Sequence, residues 1–140
     1  MKKTLSLLVA LGLVAGVSLM PGIAEAKKKK IEGTFTATGA PFPHPDGCNG
    51  GVESVHKVSH SLETPKKGLL EVNMHSFEGD WDLFVTDTAG AVLGSSTAGQ
   101  PIDPPGETIT VALDAKTEYL IVACNWSGAP VSTVDYVFTY

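Results

Sequence analysis

Gly79-Asp80-Trp81-Asp82-Leu83-Phe84-Val85 is the stretch on which the reading of this chain turns. In an extended chain successive side chains point to opposite faces, so Trp81, Leu83 and Val85 share one face and Asp80 and Asp82 share the other. Asp is disfavoured in sheets and costly to bury without a partner. The two carboxylates therefore need a reason, either a structural network in which they accept N–H groups from adjacent loops or a guest such as a metal ion. The structural reading is the one the surrounding sequence favours, with Trp81, Leu83 and Val85 packing inward and the two acids bracing loops.

Working outward, period-two patterning continues on both sides and no helical stripe follows the first 26 residues. Ile31, Gly33, Phe35 and Ala37 alternate with Glu32, Thr34, Thr36 and Thr38, a half-buried strand. Gly39–Gly51 holds three prolines and four glycines around Cys48 and reads as a loop. Strands are expected at Val55–Leu62, at Leu69–Met74 beyond a Pro65–Gly68 turn, at Asp80–Thr86, and at Ala91–Gly94 after the Asp87–Gly90 turn. Ser95–Gly106, with Pro101, Pro104 and Pro105, cannot contain a central strand. Ile109, Val111 and Leu113 alternate again, Asp114–Thr117 turns, and Tyr119–Trp126 is apolar on both faces, as in the middle of a sheet. A last strand alternates through Val134, Tyr136, Phe138 and Tyr140. About eight short strands at this spacing imply an all-β, two-sheet sandwich without internal repeats.

Residues 1–26 have the organisation of a cleaved secretory signal peptide: Lys2 and Lys3, an apolar run from Leu5 to Met20, then Pro21-Gly22 and the small residues Ala24 and Ala26. At 16 residues the run is shorter than the roughly 20 that span a bilayer. An uncleaved anchor is the alternative, and Lys27–Lys30 speak for it by placing more positive charge after the run than before it. The expected division is a signal peptide at 1–26, a solvated basic tail at 27–30 and one domain at 31–140. That domain carries four Lys, no Arg and 14 acids, a net charge of −10, which should repel nucleic acid. Export makes the two cysteines, Cys48 and Cys124, a disulfide by default, with a loop closure that stabilises by about 4 kcal/mol. No CxxC spacing supports a metal or redox thiol.

Gly79–Val85 with its following turn and short strand, Glu107–Leu113, Asp114–Thr117, Tyr119–Ala123 and the terminal Asp135-Tyr136-Val137-Phe138 resemble the bacterial pre-peptidase C-terminal domain. The resemblance covers about 55–140 and implies a jelly-roll-like β-sandwich related to collagen-binding modules. That family is commonly appended to secreted proteases, and this chain carries no such partner domain. Some collagen-binding relatives hold calcium through acids near the domain N-terminus, where this sequence offers only Glu32, so calcium is not carried over.

Asp80 and Asp82 share a strand face with Cα atoms about 6.6 Å apart, near enough to converge on one cation or to flank one bond. Calcium takes six to eight oxygens, and Glu78, Asp87 and Asp103 are the further carboxylates in reach along the chain. His56 and His60, four apart on a strand, stand about 13 Å from each other and cannot share an ion. His75 on the adjacent strand could approach one of them, with solvent-facing histidines on an acidic surface the plainer reading, and His44 between prolines reads as loop. Trp81, Trp126 and Tyr140 are candidate binding aromatics, although aromatics at alternate strand positions usually belong to a core. Asn125-Trp126-Ser127 matches an N-glycosylation pattern but adjoins a half-cystine in a chain with a bacterial type of signal.

These residues describe a secreted, non-enzymatic β-sandwich, extracellular or at the cell surface, that binds an extracellular polymer, matrix protein or cell-envelope component. It has no stable membrane span after processing, no implied cofactor other than calcium, and no nucleic-acid partner. The alternatives are a calcium-stabilised assembly module and, less favoured, a small hydrolase using Asp80 and Asp82, for which no nucleophile constellation is visible.

Overall fold

A computed structural model describes residues 27–41, 48, 55–97, 99 and 106–140. The signal-peptide reading of 1–26, most of the Cys48 loop, His44 and Asp103 lie outside them. Among the described residues no helix is long and apolar enough to cross a membrane.

The strands are β1 (Lys30–Thr38), β2 (Lys57–Thr64), β3 (Gly68–His75), β4 (Gly79–Asp87), β5 (Val92–Ser96), β6 (Gly106–Leu113), β7 (Thr117–Gly128) and β8 (Val131–Thr139). They form two four-stranded antiparallel sheets, which we label A (β1-β8-β3-β6) and B (β2-β7-β4-β5). β1 pairs with β8, β2 with β7, β3 with β6 and β4 with β5, as if one long hairpin had been rolled up. The pairings β3–β8 and β4–β7 complete the sheets. This is the jelly roll, a β-sandwich.

The alternation read from the sequence sets the layers. Leu70, Val72, Met74, Ile109, Leu113, Val134 and Phe138 of sheet A meet Leu62, Trp81, Leu83, Val85, Tyr119, Ile121 and Ala123 of sheet B in one core. Trp81 is fully buried, and its indole Nε1 donates to the Ala129 carbonyl at 3.1 Å. Burying that ring contributes about 2–3 kcal/mol, and satisfying its N–H removes the cost of burial.

The ends of the strands differ from expectation in instructive ways. Lys30 opens β1, and Lys29 exchanges both backbone hydrogen bonds with Tyr140, so half of the basic run is built into the ladder. β2 is displaced by two residues, since Val55 and His56 form a turn whose carbonyls accept from Ala40 and Asn125. β5 continues to Ser96 and β6 begins at Gly106, both inside the segment read as a loop. Gly79 and Gly128 have φ of +92° and +104°, and a Cβ on either would stand 2.6 Å from the other's Cα. Only glycine fits that crossing, and it fixes where β4 and β7 begin and end.

Candidate functional site

The two outer faces of the sandwich are chemically unlike. On sheet B the outward positions carry Phe84, Val122 and Cys124, and with Cys48 these form a second buried cluster against which Leu120 and Trp126 pack. The Cys48–Cys124 disulfide is formed, with Cα atoms 5.6 Å apart. It fastens Cys48 onto the outside of the sheet, as the export reading anticipates.

Asp80 and Asp82 flank this cluster. Asp82 lies opposite Cys124 in the β4–β7 register, and a register shift between Asp80 and Trp81 leaves Trp126 as the extra residue of β7. The bracing expected of the acids is not what the structure shows. Asp80 Oδ1 is buried without a hydrogen-bond partner. Burial pushes the Asp82 carboxyl up to about 6, helped by the negative charges of Asp80 and of Glu107. Burial also raises Asp80. Of the further carboxylates expected within reach of a shared cation, Asp103 lies outside the described residues and Asp87 is engaged elsewhere. Asp87 Oδ1 instead accepts the N–H groups of Ala89 and Ala91 at 2.9 and 2.8 Å, closing its own turn. Among the described residues no group of three or more His, Cys, Asp or Glu is placed to hold a metal.

Of the candidate aromatics, Trp81 is core and has no face to offer a ligand. Trp126 is half-buried beside the disulfide, and Tyr140 is half-buried with its ring stacked on Phe138 at 5.7 Å. The histidines disperse as well. His56 Nδ1 lies 2.8 Å from the Ala40 carbonyl. His60 points between the sheets, stacked on Phe35 with Nε2 3.0 Å from the Tyr136 hydroxyl. Asn125 is fully buried and its Nδ2 donates to Gly39 and Ala129, so the glycosylation pattern is occupied by a structural amide.

The outer face of sheet A holds a site that the sequence reading passed over. Register places Thr34, Asp135, Asn73 and Thr108 in one row across all four strands, and Glu32, Val137, Glu71 and Thr110 in the next. Asp135 and Val137 form a central ridge. A shallow depression of about 260 Å³ lies on one side of it, against Glu71, Asn73, Thr108 and Thr110. Another of about 340 Å³ lies on the other, against Glu32 and Thr34.

A hydrogen-bonded chain organises the ridge. Thr34 Oγ1 donates to Asp135 Oδ1 at 2.5 Å, His75 Nε2 meets Asp135 Oδ2 at 2.9 Å, and His75 Nδ1 meets Ser76 Oγ at 2.7 Å. The Thr34 hydroxyl first, and the His75 ring second, hold the Asp135 carboxyl below its usual range. Ser76 is in the left-handed region, with φ 58°. Hydroxyl, imidazole and carboxylate follow the order of a hydrolase relay, yet His75 and Asp135 are 36% and 47% exposed on an open sheet. Such a relay gains its power in a site that excludes water, and the chain serves here to tie the end of β3 to β8. Period-two reading places each of these side chains outward, but it cannot show that strands 60 and 101 residues apart set them side by side.

The class defined by strand order is thus a jelly-roll module with a buried apolar cluster on one outer face and an open polar row on the other. No protein-family model matches the chain, and no curated protein matches it. Among solved structures, the K1 cleaved adhesin domain of Lys-gingipain from Porphyromonas gingivalis W83 is similar at 14% identity, over 81% of this chain and 89% of that chain, with a TM-score of 0.43.

Proposed function

We propose that this protein is a secreted binding module whose recognition surface is the outer face of sheet A, and that its partner is a neutral, polyhydroxylated extracellular polymer. One observation carries the reading: paired depressions flank a ridge and are lined by hydroxyls, an amide and carboxylates in register. Carboxylates and amides at open positions accept and donate to sugar hydroxyls, while the net charge of −10 over 31–140 repels anionic polymers. The resemblance to the pre-peptidase C-terminal domain supports a non-catalytic role of this kind.

The test is retention of the mature chain on neutral and on anionic polysaccharide matrices. Retention on a neutral matrix that falls about tenfold in Asn73→Ala and in Glu71→Gln supports the reading. Binding that survives both but is lost in Trp126→Ala moves the surface to sheet B.

A second reading, a calcium-stabilised module, is favoured by one observation of its own: Asp80 Oδ1 is buried without a partner beside a raised Asp82. A divalent cation would relieve both acids and would draw the rest of its six to eight oxygens from backbone and water. A Tm rise at millimolar calcium that disappears in Asp82→Asn supports it, and an unchanged transition overturns it.

A further inference from the structure

We infer that β1 is a self-complementary edge through which two copies of this chain join, antiparallel, into one continuous sheet. The hydrogen-bond parity of β1 locates its free groups. Lys29 and Tyr140 exchange both N–H···O bonds, and the Gly39 N–H reaches the Pro130 carbonyl. In the same register Ile31, Gly33, Phe35 and Ala37 turn their N–H and C=O groups toward β8. Lys30, Glu32, Thr34, Thr36 and Thr38 therefore turn theirs outward, and among the described residues no strand pairs with them. Their side chains are exposed.

Unpaired edges template pairing with another chain, and proteins ordinarily guard them with shortness, bulges, proline or charge. The other three edges are guarded. β5 has five residues and lies beside the register shift between Val85 and Thr86. β6 points the Glu107 carboxylate inward. β2 carries Lys57 and Glu63 and runs into Pro65, Lys66 and Lys67. β1 has nine residues, and from Gly33 to Thr38 it contains no charge, no proline and no bulge.

Its charges also choose the partner and its direction. Parallel pairing would set Lys27–Lys30 of the two copies side by side. Antiparallel pairing separates them by the length of the strand, about 27 Å, beyond the reach of unscreened repulsion at physiological salt. The register that uses all nine residues puts Thr34 on the two-fold axis, with Glu32 facing Thr36 and Lys30 facing Thr38 of the other copy. Threonines opposite one another are favourable cross-strand pairs. Half-buried Ile31 and Phe35 on the inner side add apolar surface. An edge of this length buries less than the roughly 1,000 Å² of a lasting interface, so association is weak per copy. It would strengthen greatly where many copies are displayed together.

Sedimentation equilibrium of the mature chain from micromolar to millimolar concentration tests this. The expected result is a monomer–dimer equilibrium with a dissociation constant on the order of 100 μM. Thr36→Pro removes an N–H that no described strand pairs with, so it should weaken dimerisation at least tenfold with Tm little changed. Should a proline variant fail to fold, Thr34→Lys keeps the ladder and sets like charges face to face across the axis, with the same expected loss. A chain that stays monomeric at millimolar concentration overturns the inference. So does a dimer that persists in folded Thr34→Lys, or one lost only through changes on β5 or β6.

Discussion

The outer faces of the two sheets were built by the same alternation and put to opposite uses. Sheet B turns Phe84, Val122 and Cys124 outward and covers them with a disulfide-anchored Cys48. Sheet A turns outward threonines, Glu32, Glu71, Asn73 and Asp135, and leaves them in water. A domain of this length buries a limited fraction of its surface, and a second apolar layer on one side adds burial that the central core cannot. The added burial is thereby concentrated on sheet B, and sheet A is left free for the recognition proposed above.

Breaking the disulfide probes that division hardest. Cys48→Ser with Cys124→Ser should cost about 4 kcal/mol and lower Tm by roughly 15 °C or more in a melt followed by circular dichroism. A fall of only a degree or two would mean the cover on sheet B contributes little.

The aspartates sharpen the contrast, because they titrate with opposite signs. Asp82 is raised from 3.8 to about 6, so its contribution is fully present below pH 3.8 and is lost as pH rises through about 6. Asp82→Asn should therefore raise Tm at pH 7 by about 3–6 °C, a figure reduced for solvent screening of a half-exposed group, and the gain should vanish near pH 4. Asp135 is lowered, so its contribution is present above pH 3.8 and is lost as pH falls below it. Asp135→Asn should lower Tm at pH 7 by about 2 °C or less, and by still less in acid. Equal signs for the two variants would remove the electrostatic distinction between the faces. Smallest of all, Asn73→Ala on the open face should move Tm by less than about 1 °C, while reducing polymer retention if that face is the one used.

Legibility from sequence followed the range of the interaction. Alternation in Ile31–Ala37, Leu70–Met74 and Ile109–Leu113 gave the inner face residue by residue, since period two is a local property. The cysteine pair was read from compartment chemistry and is formed. Asp80 and Asp82 were recognised as anomalous, but their burial was not matched by the expected loop N–H groups, because partner geometry depends on strands brought together from afar. Glu107 escaped notice altogether. It stands in phase with Ile109, Val111 and Leu113, so the same alternation that gives the inner face points it inward, where it accepts from Ser96 Oγ. The row Thr34–Asp135–Asn73–Thr108 was hidden for the same reason: each member is unremarkable until register aligns them.

The position of β8 has a kinetic consequence. It is the last of the described strands in chain order, yet it lies between β1 and β3 and is the element that joins them. Sheet A therefore cannot assemble from an emerging chain in order of synthesis. Its first strand must wait for its last, and such non-local pairings fold slowly. Until β8 is in place β1 has no described strand to pair with, so this sheet is the one that stays open longest during folding.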